Sequence, residues 1–195
     1  MEKASHPVSV VYDIIGIMGE DYTFHFSKYF YRPQSPLDER EVFSVVGADI
    51  NDSWLEQQLA DLPEGWELAL NSEVIDPRNR RSHIPMIDFY SRRTDFLLSP
   101  YFRSMVGSRF HDSMRIFDSG RSYHAYSSSL MSNKEWVSFM GALLLLAPPE
   151  SESIVDVRWI GHRLIGGYSA LRWSCNTSRY LKYPEFVPLS SLLSS

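Results

Sequence analysis

The chain has 195 residues, 44% of them hydrophobic and 14% aromatic, with 24 Asp and Glu against 19 Lys and Arg for a net charge of −5 at pH 7. This size and apolar content exclude a disordered chain and fit a single domain, residues 1–195, with a substantial core. Cys175 is the only cysteine, which excludes an internal disulfide and a cysteine-based zinc cluster and fits a reducing, cytoplasmic setting. The apolar run Phe139–Ala147 is far short of the roughly 20 residues that cross a bilayer, and no basic region followed by an apolar core opens the chain, so neither a membrane partner nor a signal peptide is expected.

In chain order, residues 8–16 are β-branched and apolar enough for a buried strand, with a short helix as the alternative. Tyr22–Tyr31 alternates aromatic and polar residues and reads as a strand ended by Arg32-Pro33-Gln34-Ser35-Pro36; Val42–Val46 is another short strand. Asn51-Asp52-Ser53 offers N-cap chemistry for a helix through Leu62, with Glu56 completing a capping box to Ser53, and Pro63 stops it. Trp66–Val74 is a strand, Asp76-Pro77-Arg78-Asn79 a turn, and Ile84–Tyr90 a strand carrying Asp88. Ser99-Pro100 opens a helix to about Gly107.

Met114–Phe117 and Ser122–Ser127 form a hairpin about Gly120. Ser132-Asn133 caps a helix over Lys134–Leu146, ended by Pro148-Pro149. A polar-apolar segment runs from Asp156 to Ile165, then Gly166-Gly167, then a strand through Trp173. Residues 189–195 read as a frayed tail. The fold class is α+β, an antiparallel sheet with flanking helices.

Charge is unevenly distributed. Residues 1–77 hold 4 basic and 15 acidic groups, whereas 78–121 hold nine Arg and four Asp; the motif-bearing core spans 78–188. The Arg-rich segment 78–121 suits phosphate, because a guanidinium fork matches phosphate geometry, and so DNA or RNA is an expected partner. The alternative is that Arg78, Arg80, Arg81, Arg92 and Arg93 balance the acidic first third, which itself suits a basic protein partner.

Chemistry concentrates in Asp118-Ser119-Gly120-Arg121-Ser122-Tyr123-His124-Ala125-Tyr126. Strand alternation sends positions 122, 124 and 126 to one face and Arg121 and Tyr123 to the other. A hydroxyl beside an imidazole suits a nucleotide phosphate, and Gly120 permits positive φ or close approach. Asp88 and Asp156 each close an apolar run, as carboxylates that bind Mg²⁺ or Mn²⁺ do. Tyr123, Tyr126 and Trp173 are candidates for base stacking or for core packing. No phosphate-binding Gly-x-x-x-x-Gly-Lys loop, dinucleotide fingerprint or nucleophile elbow is present.

The order hydrophobic-Asp88, Ser122-x-His124, hydrophobic-Asp156 resembles the three motifs of the archaeo-eukaryotic primase superfamily, the primase-polymerases, over roughly residues 84–176. The resemblance implies a catalytic module with an RNA-recognition-like sheet and template-dependent transfer of nucleoside triphosphates. It implies that Asp88 and Asp156 hold Mg²⁺ or Mn²⁺ as catalytic residues. It also implies that Ser122 and His124 bind the triphosphate, with Arg121, Arg163 and Arg172 offsetting its charge; His162 is a further candidate. The family's first motif has two acids spaced by one residue, whereas Tyr90 stands at the second position here. Asp95 or Asp118 would restore a carboxylate pair if either lay near Asp88, and Asp118 is the better candidate metal ligand. The alternatives in other classes are a nucleotide- or nucleic-acid-binding module without chemistry, and an acidic protein-interaction subunit.

Overall fold

The computed structural model describes residues 5–30, 32, 35, 37–146 and 153–192. Two antiparallel sheets are flanked by helices. The first has the strand order β2-β1-β3-β4, built from β1 (Thr23–Phe30), β2 (Arg40–Val46), β3 (Trp66–Ile75) and β4 (Arg81–His83), with β8 (Ala170–Arg172) also pairing with β3. The second has the order β5-β7-β6-β9, from β5 (Met86–Asp88), β6 (Arg115–Asp118), β7 (Tyr123–Tyr126) and β9 (Glu185–Val187). The α+β class expected from the sequence is the observed one, with the antiparallel strands divided between two sheets.

Residues 8–16, read as a strand, lie in helix α1 (Val8–Met18). Val8, Val11 and Ile14 recur at helical spacing and are fully buried with Val10, so burial of one face outweighs the β preference of branched side chains. The buried His6 anchors its start: Nδ1 accepts from the Val8 N–H, and Nε2 is 2.9 Å from the Trp173 carbonyl oxygen. Helix α2 (Asp52–Ala60) is capped by Asn51, whose side chain accepts from the Trp54 N–H, and not by Ser53.

Helix α3 (Pro100–Val106) starts at the Ser99 cap as expected, and the short helix α4 (Ser108–Ser113) follows it. Helix α5 (Asn133–Leu144) carries the Ser132–Glu135 capping box and buries Trp136, Phe139, Met140 and Leu143. The expected stops at Pro33, Pro36 and Pro148-Pro149 lie outside the described residues.

Segment 157–166, which had no assignment from sequence, is helix α6 (Val157–Gly166), opened by Asp156 and closed by Gly167 in the left-handed conformation. Residues 189–192 are not frayed but form α7 (Leu189–Leu192), with Leu192 buried and its carbonyl accepting from the Thr94 hydroxyl at 2.9 Å.

The described glycine turn at Gly120 behaves as its sequence requires, with φ +104°. The segments that carry the motifs converge where the two sheets approach. Phe89 forms a single bridge to Val155, and the Asp156 N–H donates to the Asp88 carbonyl at 2.9 Å.

Candidate functional site

That backbone hydrogen bond sets Asp88 and Asp156 side by side, and strand register sets His124 opposite Asp88. All three line a cleft of about 750 Å³, together with Ser122, Arg121, Arg163, Arg172 and His162. One wall comes from the second sheet and the Ser119–Ser122 turn. The opposite wall comes from Tyr29 on β1, Arg40 on β2 and Arg172 on β8, and α6 closes a third side.

Asp88 is half-buried, and burial together with the neighbouring Asp156 charge pushes its carboxyl pKa up to about 8. Arg172 acts in the opposite sense. His124 is buried, and desolvation followed by the Arg172 charge pushes its imidazole down to about 3, so it stands neutral at pH 7. Its Nε2 lies 3.8 Å from Asp88 Oδ1, too far for a hydrogen bond, and its Nδ1 has no partner among the described residues. A neutral imidazole beside the half-buried Ser122 brings one N–H and one hydroxyl donor to this wall of the cleft.

Asp156 has a second task. Its Oδ1 accepts from the Arg158 and Trp159 N–H groups at 2.9 and 3.0 Å and so caps α6. Helix α6 in turn presents Arg158, His162 and Arg163 to the cleft. Arg172 is buried and fixed by backbone: it donates to the carbonyls of Ser174, of Ser119 at 2.9 Å and of Lys182 at 3.3 Å, and it stacks on Tyr180 at 3.8 Å. No carboxylate neutralises it in these contacts, so its charge is felt in the cleft.

Asp118 is placed elsewhere. It pairs in register with Tyr123, one step off the Asp88–His124 row, and its carboxylate engages Arg92 at 3.1 Å, Lys182 at 3.3 Å and the Gly120 N–H at 2.8 Å. These cations hold its pKa below the ordinary carboxylate value despite partial burial. Asp95 pairs with Arg93 at 2.7 Å. Neither restores the second acid, and the exposed Tyr90 occupies that position at the cleft rim. Among the described residues, no group of three or more His, Cys, Asp or Glu side chains is positioned for a metal ion. The donor set left is one carboxyl pair, and a cation there would favour the ionised form of Asp88 that burial and Asp156 disfavour. Two carboxylates with substrate phosphates and water suit one Mg²⁺ or Mn²⁺.

The Arg-rich segment is mostly engaged within the protein. Arg80 meets Asp76, Arg81 meets Glu73, Arg92 meets Asp118, Arg93 meets Asp95, Arg103 meets Asp112 and Arg115 meets Asp13, all within 3.1 Å. Of that segment's arginines only Arg121 lines the cleft. The cleft's positive charge comes instead from Arg32, Arg40, Arg158, Arg163, Arg172 and Arg179. Tyr126 and Trp173 are fully buried, and Tyr123 is packed under Arg92 with 4.9 Å to the ring centroid, so all three pack the interior. The aromatics that do line the cleft are Tyr29, Phe30, Phe89, Tyr90, Trp159 and Tyr180.

A family model described as archaeo-eukaryotic primase 1D-like matches residues 46–185. The chain belongs to this primase-like family. Comparison with curated proteins and with solved structures found no match. The primase-like assignment agrees with the order of the three motifs and with the antiparallel α+β architecture. Among the described residues, no helix is long and apolar enough to cross a membrane.

Proposed function

We propose that this primase-polymerase-like protein binds a nucleoside triphosphate with one divalent cation in the cleft and transfers the nucleotidyl group to a nucleic-acid end. The observation that carries this reading is the adjacency of Asp88 and Asp156, tied by a 2.9 Å backbone hydrogen bond, with His124 facing Asp88 in the same cleft. Asp88 and Asp156 hold the cation. Bound there, a divalent ion neutralises charge on the reacting phosphoryl group and orients it.

Ser122 and the neutral His124 donate to the triphosphate oxygens, and Arg121, Arg163 and Arg172 offset their charge. In the transfer, a 3′-hydroxyl oxygen attacks the α-phosphorus and gives its proton to solvent, the bond from phosphorus to the bridging oxygen breaks, and pyrophosphate leaves with that electron pair. The chain's contribution is positioning and electrostatic stabilisation, since phosphoryl transfer asks little covalent chemistry of the protein.

One observation favours a second reading, binding without transfer: Tyr90 stands where the family has its second acid, and among the described residues no third carboxylate joins Asp88 and Asp156 in a metal-binding group. Titration of a labelled nucleoside triphosphate with and without Mn²⁺ separates these readings. Metal-dependent binding lost in both Asp88→Ala and His124→Ala, followed by primer extension, supports the transferase. Metal-independent binding lost only in His124→Ala supports the binding module. No binding under any condition overturns both.

A further inference from the structure

The cleft that holds Asp88 and Asp156 also contains a cationic cluster built on Arg40 and Arg163. The Arg163 side chain is 3% exposed and that of Arg40 is 9% exposed, yet both line the cleft. Asp38 is the carboxylate that meets both: its Oδ2 accepts from Arg163 Nη2 and, at 2.8 Å, from Arg40 Nε. Arg40 Nη1 donates to Ser27 Oγ at 3.2 Å, and its guanidinium stacks on Tyr29 at 4.1 Å. The Nε and Nη1 of Arg163 have no hydrogen-bond partner among the described residues.

A structural ion triad would be expected to satisfy its buried donors, because unpaired buried charge is costly. Here one carboxylate oxygen serves two guanidiniums, and two buried donors of Arg163 have no partner among the described residues. Desolvation lowers the pKa of both arginines, as expected for cations short of compensation. Asp38 is also the least fixed of the three. It precedes β2, outside any strand or helix, with its side chain 27% exposed. It can turn away without breaking a strand hydrogen bond.

We infer that Arg40 and Arg163 form a phosphoryl-binding site that Asp38 fills in the free protein as an internal counter-ion, and that an entering phosphoryl group displaces it. A phosphoryl group carries more charge and more acceptor oxygens than a carboxylate, and so can compensate two guanidiniums better than the single Asp38 oxygen that meets both. Asp38 and Arg40 precede residue 46, where the family match begins, so two of the three members lie outside the matched residues and only Arg163 lies within them. The inference rests on the proposed use of the cleft for phosphate, but requires neither the cation nor Asp88.

The test is titration of inorganic pyrophosphate without divalent metal, followed by thermal shift, in wild type and Asp38→Asn. Loss of the competing charge-assisted contact is expected to tighten pyrophosphate binding about tenfold. Asp38→Asn should melt lower than wild type without anion and recover more on adding it. The gain should vanish in the Asp38→Asn, Arg40→Gln double variant and persist in Asp38→Asn, Asp88→Ala. Equal affinity in wild type and Asp38→Asn overturns the inference, as does a gain that survives Arg40→Gln.

The phosphoryl source follows from two further probes. A gain for ATP over AMP assigns the site to the nucleotide tail, and a gain for a 5′-phosphorylated oligonucleotide without one for ATP assigns it to a strand. Failure here leaves metal-dependent nucleotide binding at Asp88 untouched, so the two proposals fail separately.

Discussion

Asp88 on β5 and His124 on β7 face each other across adjacent strands with Nε2 and Oδ1 3.8 Å apart, and both are neutral at pH 7. A carboxyl held up at about 8 and an imidazole held down at about 3 give a pair that is ready to receive charge rather than one that already carries it. Cation binding should therefore deprotonate Asp88, and Mn²⁺ affinity should rise with pH until about 8.

The same pair predicts a pH dependence of stability. Asp88 is raised in the folded state, so the folded protein holds its proton between about 4 and 8 where the unfolded chain has lost it, and stability falls as pH rises through that range. His124 is lowered, so its contribution rises with pH between about 3 and 6.5, opposing Asp88 there. From about pH 6.5 to 8 the Asp88 effect stands alone. Melting temperature should decline over this window in wild type and stay flat in Asp88→Asn; an equal decline in both would remove Asp88 as its cause.

Because Asp156 caps α6 with the carboxylate that would also hold the cation, two substitutions should separate its roles. Asp156→Ala is expected to cost about 1 kcal/mol of stability from the lost cap. Asp156→Asn keeps a cap acceptor, and should retain most of that stability while losing metal-dependent nucleotide binding. Chemical denaturation and Mn²⁺-dependent titration read the two effects independently.

Tyr90 is 59% exposed at the cleft rim, so replacing it should not disturb the core. Tyr90→Asp supplies the missing acid beside Asp88 and should tighten Mn²⁺ binding about tenfold, the equivalent of one charge-assisted contact. Calorimetric titration of Mn²⁺ measures this directly, and an unchanged affinity would show that position 90 lies out of ligand reach.

Gly120 holds φ +104°, and a Cβ there would lie 3.1 Å from the Leu181 Cβ. Gly120→Ala should cost about 2 kcal/mol from backbone strain, before any contact with Leu181. It should also weaken nucleotide binding, because the turn carries Arg121 and Ser122 into the cleft. Urea unfolding and nucleotide titration of this variant test both effects.

Motif residues were legible where local chemistry and order suffice: Asp88, Ser122, His124 and Asp156 stand in sequence as strand ends and a turn, and the fold gathers them. Arg40, Asp38, Tyr29 and Tyr180 were not legible. They lie in stretches whose local pattern speaks only of strands and loops, and what they contribute depends on β1, β2 and β8 meeting the second sheet. Helix α6 escaped because Arg163 occupies one of its buried positions beside Trp159 and Ile160, which breaks the apolar stripe that marks an amphipathic helix. Residues 8–16 misled for the opposite reason. Their branched side chains favour strands, while burial against the core selects a helix. The Arg-rich run has a true composition but a different role, since carboxylates take up most of its charges, some beside them in sequence and some brought near by the fold.

The strand order β2-β1-β3 has a practical consequence for anyone who would trim this chain to its recognisable part. The family match opens at Val46, the last residue of β2, so a fragment begun there would lack β1, the neighbour on one side of β3, and nearly all of β2 beyond it. Ten residues of strand would then present an open edge, and the partners of Phe24 and Phe26 would face water. The stretch that sequence comparison recognises is therefore shorter than the sheet it belongs to, and any excised version should carry at least the first two strands with it.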